Sequence, residues 1–181
     1  MISTIAVFGQ NRANDSLYTI ELTTSIYPVL SFFNKERISG NTNKGSIGYG
    51  INIRGVWHPA RRLAVGLMTG CNFLAKDTIP GETGASAQIV SVPIQGVMTM
   101  DFHHFEVGIG IGPYMMWSTI NLGNRVDRTR FELGITFMAS YYLPLNSNLY
   151  IGPELRISYM DFRGILSFMP SVNLHYTPLK Y

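Results

Sequence analysis

Eight stretches of the chain alternate apolar residues with small or polar ones, and the apolar positions carry almost no charge. Strand side chains point to opposite faces with a period of two, so each stretch divides into two faces. In Leu17 to Phe33 one face reads Tyr18, Ile20, Leu22, Thr24, Ile26, Leu30 and Phe32, and the other Thr19, Glu21, Thr23 and Ser25. Ser46 to His58 sets Ile47, Tyr49, Ile51, Ile53 and Trp57 against Gly48, Gly50, Asn52 and Arg54. Leu63 to Lys76 sets Leu63, Val65, Leu67, Cys71 and Phe73 against Gly66, Gly70 and Asn72. Phe105 to Ser118 sets Phe105, Val107, Ile109, Ile111, Met115 and Trp117 against Glu106, Gly108, Gly110, Gly112 and Tyr114. The same alternation runs through Ala87 to Asp101, Arg130 to Leu143, Leu149 to Asp161 and Ile165 to Tyr176.

Which face looks inward separates two classes of protein. A soluble lipocalin-like ligand-binding barrel keeps its apolar face inside and shows water a surface rich in Lys and Glu. Here the polar face is mostly Gly, Ser, Thr and Asn, which suits the cramped interior of a narrow barrel. The apolar face is therefore assigned to lipid. Residues 17–181 are predicted to form an all-β, eight-stranded antiparallel up-and-down transmembrane barrel, the smallest regular size of its kind. A bacterial outer-membrane location follows from that reading.

The connections agree. Asn34 to Gly45, Asp77 to Ser86 and Thr119 to Thr129 read as long polar loops, whereas Pro59 to Arg62, Phe102 to His104 and Pro144 to Asn148 are short. In such barrels long loops face outside and short turns face the periplasm. The last outer connection, around Phe162 to Gly164, is nearly a tight turn. Aromatics fall where two interfacial girdles belong, with Tyr18, Trp57, Phe105, Tyr141 and Tyr176 toward the turns and Phe32, Tyr49, Trp117 and Phe131 toward the loops. Pro28, Pro93, Pro113, Pro153 and Pro170 lie inside expected strands, each removing a ladder donor. Bulges or register shifts are expected there.

Composition narrows the field further. Charged residues make up 14% of the chain, well below the roughly 25% of an average soluble domain. No run approaches the roughly 18 apolar residues of a membrane-spanning helix. The net charge of +3 comes without a dense basic face interleaved with aromatics, so nucleic acid is not an expected partner. Cys71 is the only cysteine; it can form no intrachain disulfide, and its phase makes it a small apolar filler facing lipid. Residues 1–16 follow other rules. The apolar run Met1 to Phe8, then polar Gly9 to Arg12, reads as a residual signal peptide or periplasmic N-terminal segment, with the mature chain starting near Gln10.

Ser91-Val92-Pro93-Ile94 followed by Phe105-Glu106-Val107-Gly108-Ile109-Gly110-Ile111-Gly112-Pro113-Tyr114 resembles a strand pairing that recurs in one family. This is the outer membrane protein β-barrel domain family of Bacteroidetes-type bacteria, similar in architecture to the small OmpX, OmpA and opacity-like barrels. The resemblance spans roughly Leu17 to Tyr181 and rests on loose, structural motifs. It implies a terminal aromatic read by the barrel-insertion machinery. Tyr181 fills that place, although His175 and Thr177 stand where apolar residues are usual; Tyr176 is the other possibility.

Chemistry-bearing residues are few. Gly108, Gly110 and Gly112 lack dinucleotide-fingerprint spacing and a following helix, so interior packing explains them. His103 and His104 adjoin Asp101 and Glu106, but adjacent residues on an extended chain point apart and both sit in a turn, so no metal or cofactor is expected. Glu21, Arg54, Glu132, Glu154 and Arg156 project inward. Paired carboxylates serve general acid–base catalysis, and His58 or His175 beside an interior serine would imitate a hydrolase triad. The pattern fixes no nucleophile next to a base, and a mutually neutralising network filling the lumen is the simpler reading.

Lys35, Glu36, Arg37, Lys44, Arg125, Asp127, Arg128 and Arg130 fall in outer loops. They read as solvated residues, with electrostatic contact to outer-leaflet glycolipid as the alternative. The functional expectation is a non-enzymatic, monomeric outer-membrane barrel with a structural, adhesion or surface-interaction role in the lipid bilayer. A narrow channel is the alternative.

Overall fold

The computed structural model describes residues 19–32, 45–78, 86–122, 124–161 and 164–179. Its strands are β1 (Thr19–Phe32), β2 (Gly45–Ala60), β3 (Leu63–Thr78), β4 (Ser86–Phe102), β5 (Phe105–Leu122), β6 (Asn124–Tyr141), β7 (Leu143–Pro144), β8 (Leu149–Met160) and β9 (Ile165–Leu179). All pair antiparallel in the order β6-β5-β4-β3-β2-β1-β9-β8-β7, and β6 also pairs with β8. That last ladder closes the sheet. β7 is no separate wall element, because Ser140↔Glu154 and Leu143↔Ile151 share one register. β6 and β7 are one strand interrupted at Tyr142, whose N–H donates to His104 O at 2.8 Å. The wall is an eight-stranded up-and-down barrel.

Burial follows the two faces of the sequence pattern, inverted relative to a soluble protein. Ile26 is 72% exposed and Leu67 71%, whereas Arg54 and Arg156 are buried inside. Water would penalise such an exterior and lipid does not, which removes the lipocalin-like alternative. Interior glycines accommodate large rings: a Cβ on Gly50 would stand 2.5 Å from Tyr27 Cε2, and one on Gly134 would run into the Tyr114 ring. Gly108 makes room in the same way for the Thr99 methyl and the Met138 side chain. Gly112 differs, because its Cβ would meet the β4 backbone at Ile94 and Gln95 rather than a lumen side chain.

Three expectations need correction. The prolines do not bend the register: Pro28 lies opposite Tyr49, Pro113 opposite Leu133, Pro153 opposite Val172 and Pro170 opposite Leu155 in uninterrupted numbering, and Pro93 opposite Tyr114 likewise. A residue in a ladder bonds to only one of its two neighbours, so a proline deletes one bond without requiring an extra residue. The shifts fall beside other residues, between Ile20 and Leu22 opposite Thr177 and Pro178, between Trp57 and Ala60 around Pro59, and between Leu74 and Asp77. Second, Thr119 to Thr129 is not a long loop but a continuing hairpin, paired as far as Leu122↔Asn124. A hairpin that continues past the lipid-crossing span has no face required to be apolar, so its sequence need not alternate. Third, several strand ends differ by a few residues from the sequence reading, as at Leu179 rather than Tyr176. The N-terminal segment 1–16, Tyr18, Lys35, Glu36, Arg37, Lys44 and Tyr181 lie outside the described residues.

Candidate functional site in the barrel interior

The inward faces stack into layers from the turn end to the loop end. At the turn end Glu21 on β1 meets two histidines through one oxygen. Its Oε2 lies 3.0 Å from His58 Nε2 on β2 and 2.9 Å from His175 Nε2 on β9. His58 Nδ1 is 3.6 Å from Asp101 Oδ2 on β4, and His175 Nδ1 is 2.8 Å from Thr23 Oγ1. The rings of Tyr142 and Tyr150 flank His175 at 5.1 and 5.9 Å between centroids.

Next comes a charged layer crossing the lumen. Arg54 on β2 reaches Glu106 on β5 at 2.6 Å and Glu154 on β8 at 3.8 Å. Its Nη2 donates to Tyr142 Oη at 2.9 Å, that hydroxyl donates to Glu106 Oε1 at 3.1 Å, and Nη1 contacts Met138 Sδ at 2.7 Å. Glu154 also accepts from Ser140 Oγ at 2.8 Å and pairs with Arg156 Nε at 2.7 Å. Arg156 donates to Ser25 Oγ at 2.8 Å and lies over the Tyr27 ring, 4.2 Å from its centroid. Such charges survive burial only when paired and hydrogen-bonded.

Above this the interior turns polar and then apolar. Tyr27 Oη donates to Asn72 Oδ1 at 2.6 Å, and Thr136 Oγ1 lies 2.9 Å from Tyr114 Oη and donates to Gln95 Oε1 at 3.0 Å. Toward the loops, Val29, Leu74 and Met169 pack with Tyr27, Met116, Met160 and Ile165 pack with Tyr114, and Ile89 touches both groups. The lumen is thus occupied by side chains at four successive heights.

Of the five interior residues expected from sequence, Arg54, Glu154 and Arg156 meet in one cluster. Glu21 instead belongs to the histidine pair, and Glu132, half-buried opposite Tyr114, is not part of these ion pairs. The expected network therefore regroups, with Glu106 joining Arg54, Glu154 and Arg156 in place of Glu21 and Glu132. Phase beside Gly108 already sets Glu106 on the inward face, but alternation gives no sign of its partner. Thr23, His175 and Glu21 do line up in the order of a hydrolase triad. Thr23 and His175 are buried, however, and the rings of Tyr142 and Tyr150 pack against His175. His103 and His104 occupy the β4–β5 turn, His103 with a φ of 59°; among the described residues no group of three or more His, Cys, Asp or Glu is arranged to hold a metal.

On the outside, Trp57, Phe105, Tyr141 and Tyr176 are exposed toward the turn end and Phe32, Tyr49, Trp117 and Phe131 toward the loop end. Phe105 lies directly opposite Tyr141. Tyr49 stacks on Phe73 at 4.9 Å, and Phe32 meets Phe168 edge-on at 5.9 Å. Phe73, Phe168 and the exposed Phe102 add to the rings read from sequence. Arg128 and Arg130 are exposed at the loop end.

The polar interior and lipid-ready exterior have counterparts among solved structures. The attachment invasion locus protein Ail of Yersinia pestis superimposes with a TM-score of 0.59 at 11% identity, covering 86% of this chain and 98% of that one. The fold is that of a small outer-membrane barrel. Neisserial surface protein A matches with a TM-score of 0.56 at 11% identity over 87% of this chain and 96% of its own. OprG of Pseudomonas aeruginosa matches with a TM-score of 0.50 at 8% identity over 91% and 98%. No family model and no curated protein matches the sequence. At these identities the likeness is one of fold, and the barrel belongs in the bacterial outer membrane.

Proposed function

We propose that this barrel is a monomeric, non-conducting and non-enzymatic surface protein, inserted by the barrel-assembly machinery and acting through its loop end. The observation that carries the reading is the filled lumen. Arg54, Glu106, Glu154 and Arg156 cross-link opposite walls, and an apolar layer of Met116, Met160, Ile165, Val29 and Leu74 stands above them. An interior built this way leaves the outer rim as the part free to act, since the girdle is committed to lipid. Two proteins of the same fold carry names that speak of attachment and of the cell surface, which supports the same role. Exposed Arg128 and Arg130 would also sit close to the phosphates of outer-leaflet glycolipid.

The test combines two measurements on purified protein. Unboiled protein is expected to run at a different apparent size from boiled protein, as a closed barrel does, and planar bilayers containing it are expected to stay silent. Steady single-channel currents would replace this reading with that of a narrow channel. Recovery as a detergent-free soluble monomer would remove both.

A further inference from the structure

The barrel wall is uneven at its loop end. β5 and β6 are each 18 residues long, while β8 has 12. β6 pairs with β8 from Ser140 only as far as Gly134↔Met160, with one more bond from Asp161 N to Leu133 O at 3.2 Å. The chain then turns back into β9 at Ile165. β6 continues upward for nine more residues, Asn124 to Glu132, held by β5 alone among the described strands. At roughly 3.4 Å per residue that is about 30 Å of one-sided strand.

The direction of its backbone groups follows from the same bond. In an antiparallel ladder the N–H and C=O of one residue face the same neighbour, and successive residues alternate. Leu133 O faces the β8 side. Phe131, Thr129 and Asp127 therefore turn their amides and carbonyls to the open side, and Glu132, Arg130 and Arg128 turn theirs to β5. Protein edges of this kind are commonly blunted by a proline or a bulge. Asn124 to Glu132 contains no proline, and the β5–β6 register runs unbroken from Phe105↔Tyr141 to Leu122↔Asn124.

Side chains specify the partner. Arg128 and Arg130 are exposed on one face of this strand, and Thr129 and Phe131 on the other. A strand laid beside them gains from acidic residues near the arginines and β-branched ones near Thr129. We propose that the outer end of β6 is a strand-addition site for an extended, acidic peptide segment of a partner outside the cell. This rests on the reading of the loop end as the acting surface and names the chemistry it takes. Main-chain bonds would give affinity and the two arginines selectivity.

Amide hydrogen exchange on the whole protein in lipid nanodiscs tests the edge, with a nonapeptide alternating Glu and Val as probe and one alternating Lys and Val as control. Asp127, Thr129 and Phe131 should exchange at least about tenfold faster than Arg128, Arg130 and Glu132. They should become protected with the Glu-Val peptide and not with the Lys-Val peptide. Arg128→Glu with Arg130→Glu should reverse that preference, and Thr129→Pro should abolish protection while leaving the β5 ladder slow. Edge amides already protected in the protein alone, or protected equally by both peptides, would overturn the proposal. The surface reading is tested separately, by labelling Thr129→Cys in a Cys71→Ser background on intact cells with a membrane-impermeant maleimide. Failure to label would overturn the outward orientation, whatever the exchange experiment shows.

Discussion

Replacing Arg54 with alanine should be among the most damaging single changes in the interior. Arg54 is 2% exposed and its partner Glu106 0%, with 2.6 Å between them. Alanine would leave Glu106 with the Tyr142 hydroxyl and deprive Glu154 of its second cation. Removing one member of a fully buried pair typically costs about 3–5 kcal/mol, a drop of roughly 10²- to 10⁴-fold in the folding equilibrium. The companion variant Glu106→Gln should also destabilise, and Arg54→Met with Glu106→Gln should recover much of the loss, because the stranded charge is then gone from both sides. Urea unfolding in lipid vesicles, followed by fluorescence of Trp57 and Trp117, measures all four states. A loss below about 1 kcal/mol for Arg54→Ala, with effects that add in the double variant, would refute the reasoning and mean that water reaches the pair.

Leu67→Arg and Ile109→Arg should each cost roughly 2–4 kcal/mol near the bilayer midplane, and the cost should change with acyl-chain length of the vesicles. Gly108→Ala would place a Cβ 2.7 Å from Thr99 Cγ2 and should cost about 1–3 kcal/mol irrespective of bilayer thickness; tolerance of both arginines would invert the assigned faces. Arg156→Ala should destabilise less than Arg54→Ala, since Glu154 keeps Arg54 at 3.8 Å and Ser140 at 2.8 Å, a ranking the same urea titration reads. Arg156→Ala should also remain silent in planar bilayers, with currents appearing only when Met160→Ala and Ile165→Ala open the apolar layer as well; leakage from Arg156→Ala alone would show that the charges are the seal.

The wall was legible because a narrow barrel in lipid forces one face of every strand to be apolar and the other to be small or polar, as in Ile47 to Ile53 against Gly48 to Arg54. Partners within the lumen were not. Thr23 meets His175 across 152 positions of sequence, and shear displaces neighbouring strands by amounts that alternation does not encode. Phase alone set Glu21 and Glu106 equally inward; only their heights in the closed barrel send one to histidines and the other to Arg54. The hairpin continuing through Thr119 to Thr129 lacks the signal for the opposite reason, since past the lipid-crossing span no face is required to be apolar.

The lateral span of the charged layer has a consequence for how the protein is made. Arg54 comes from β2, Glu106 from β5, Glu154 and Arg156 from β8, and the final ladder joins β1 to β9 as Ile20↔Leu179. No early hairpin contains a complete set of partners, and with β8 and β9 still outside the Arg54–Glu106 pair would stand in an open sheet, neutral but unshielded from hydrocarbon. Wall closure and enclosure of that pair are therefore one step. Delivery to the bilayer as a nearly complete cylinder would keep the pair enclosed throughout, with the C-terminal hairpin as the piece that commits the chain.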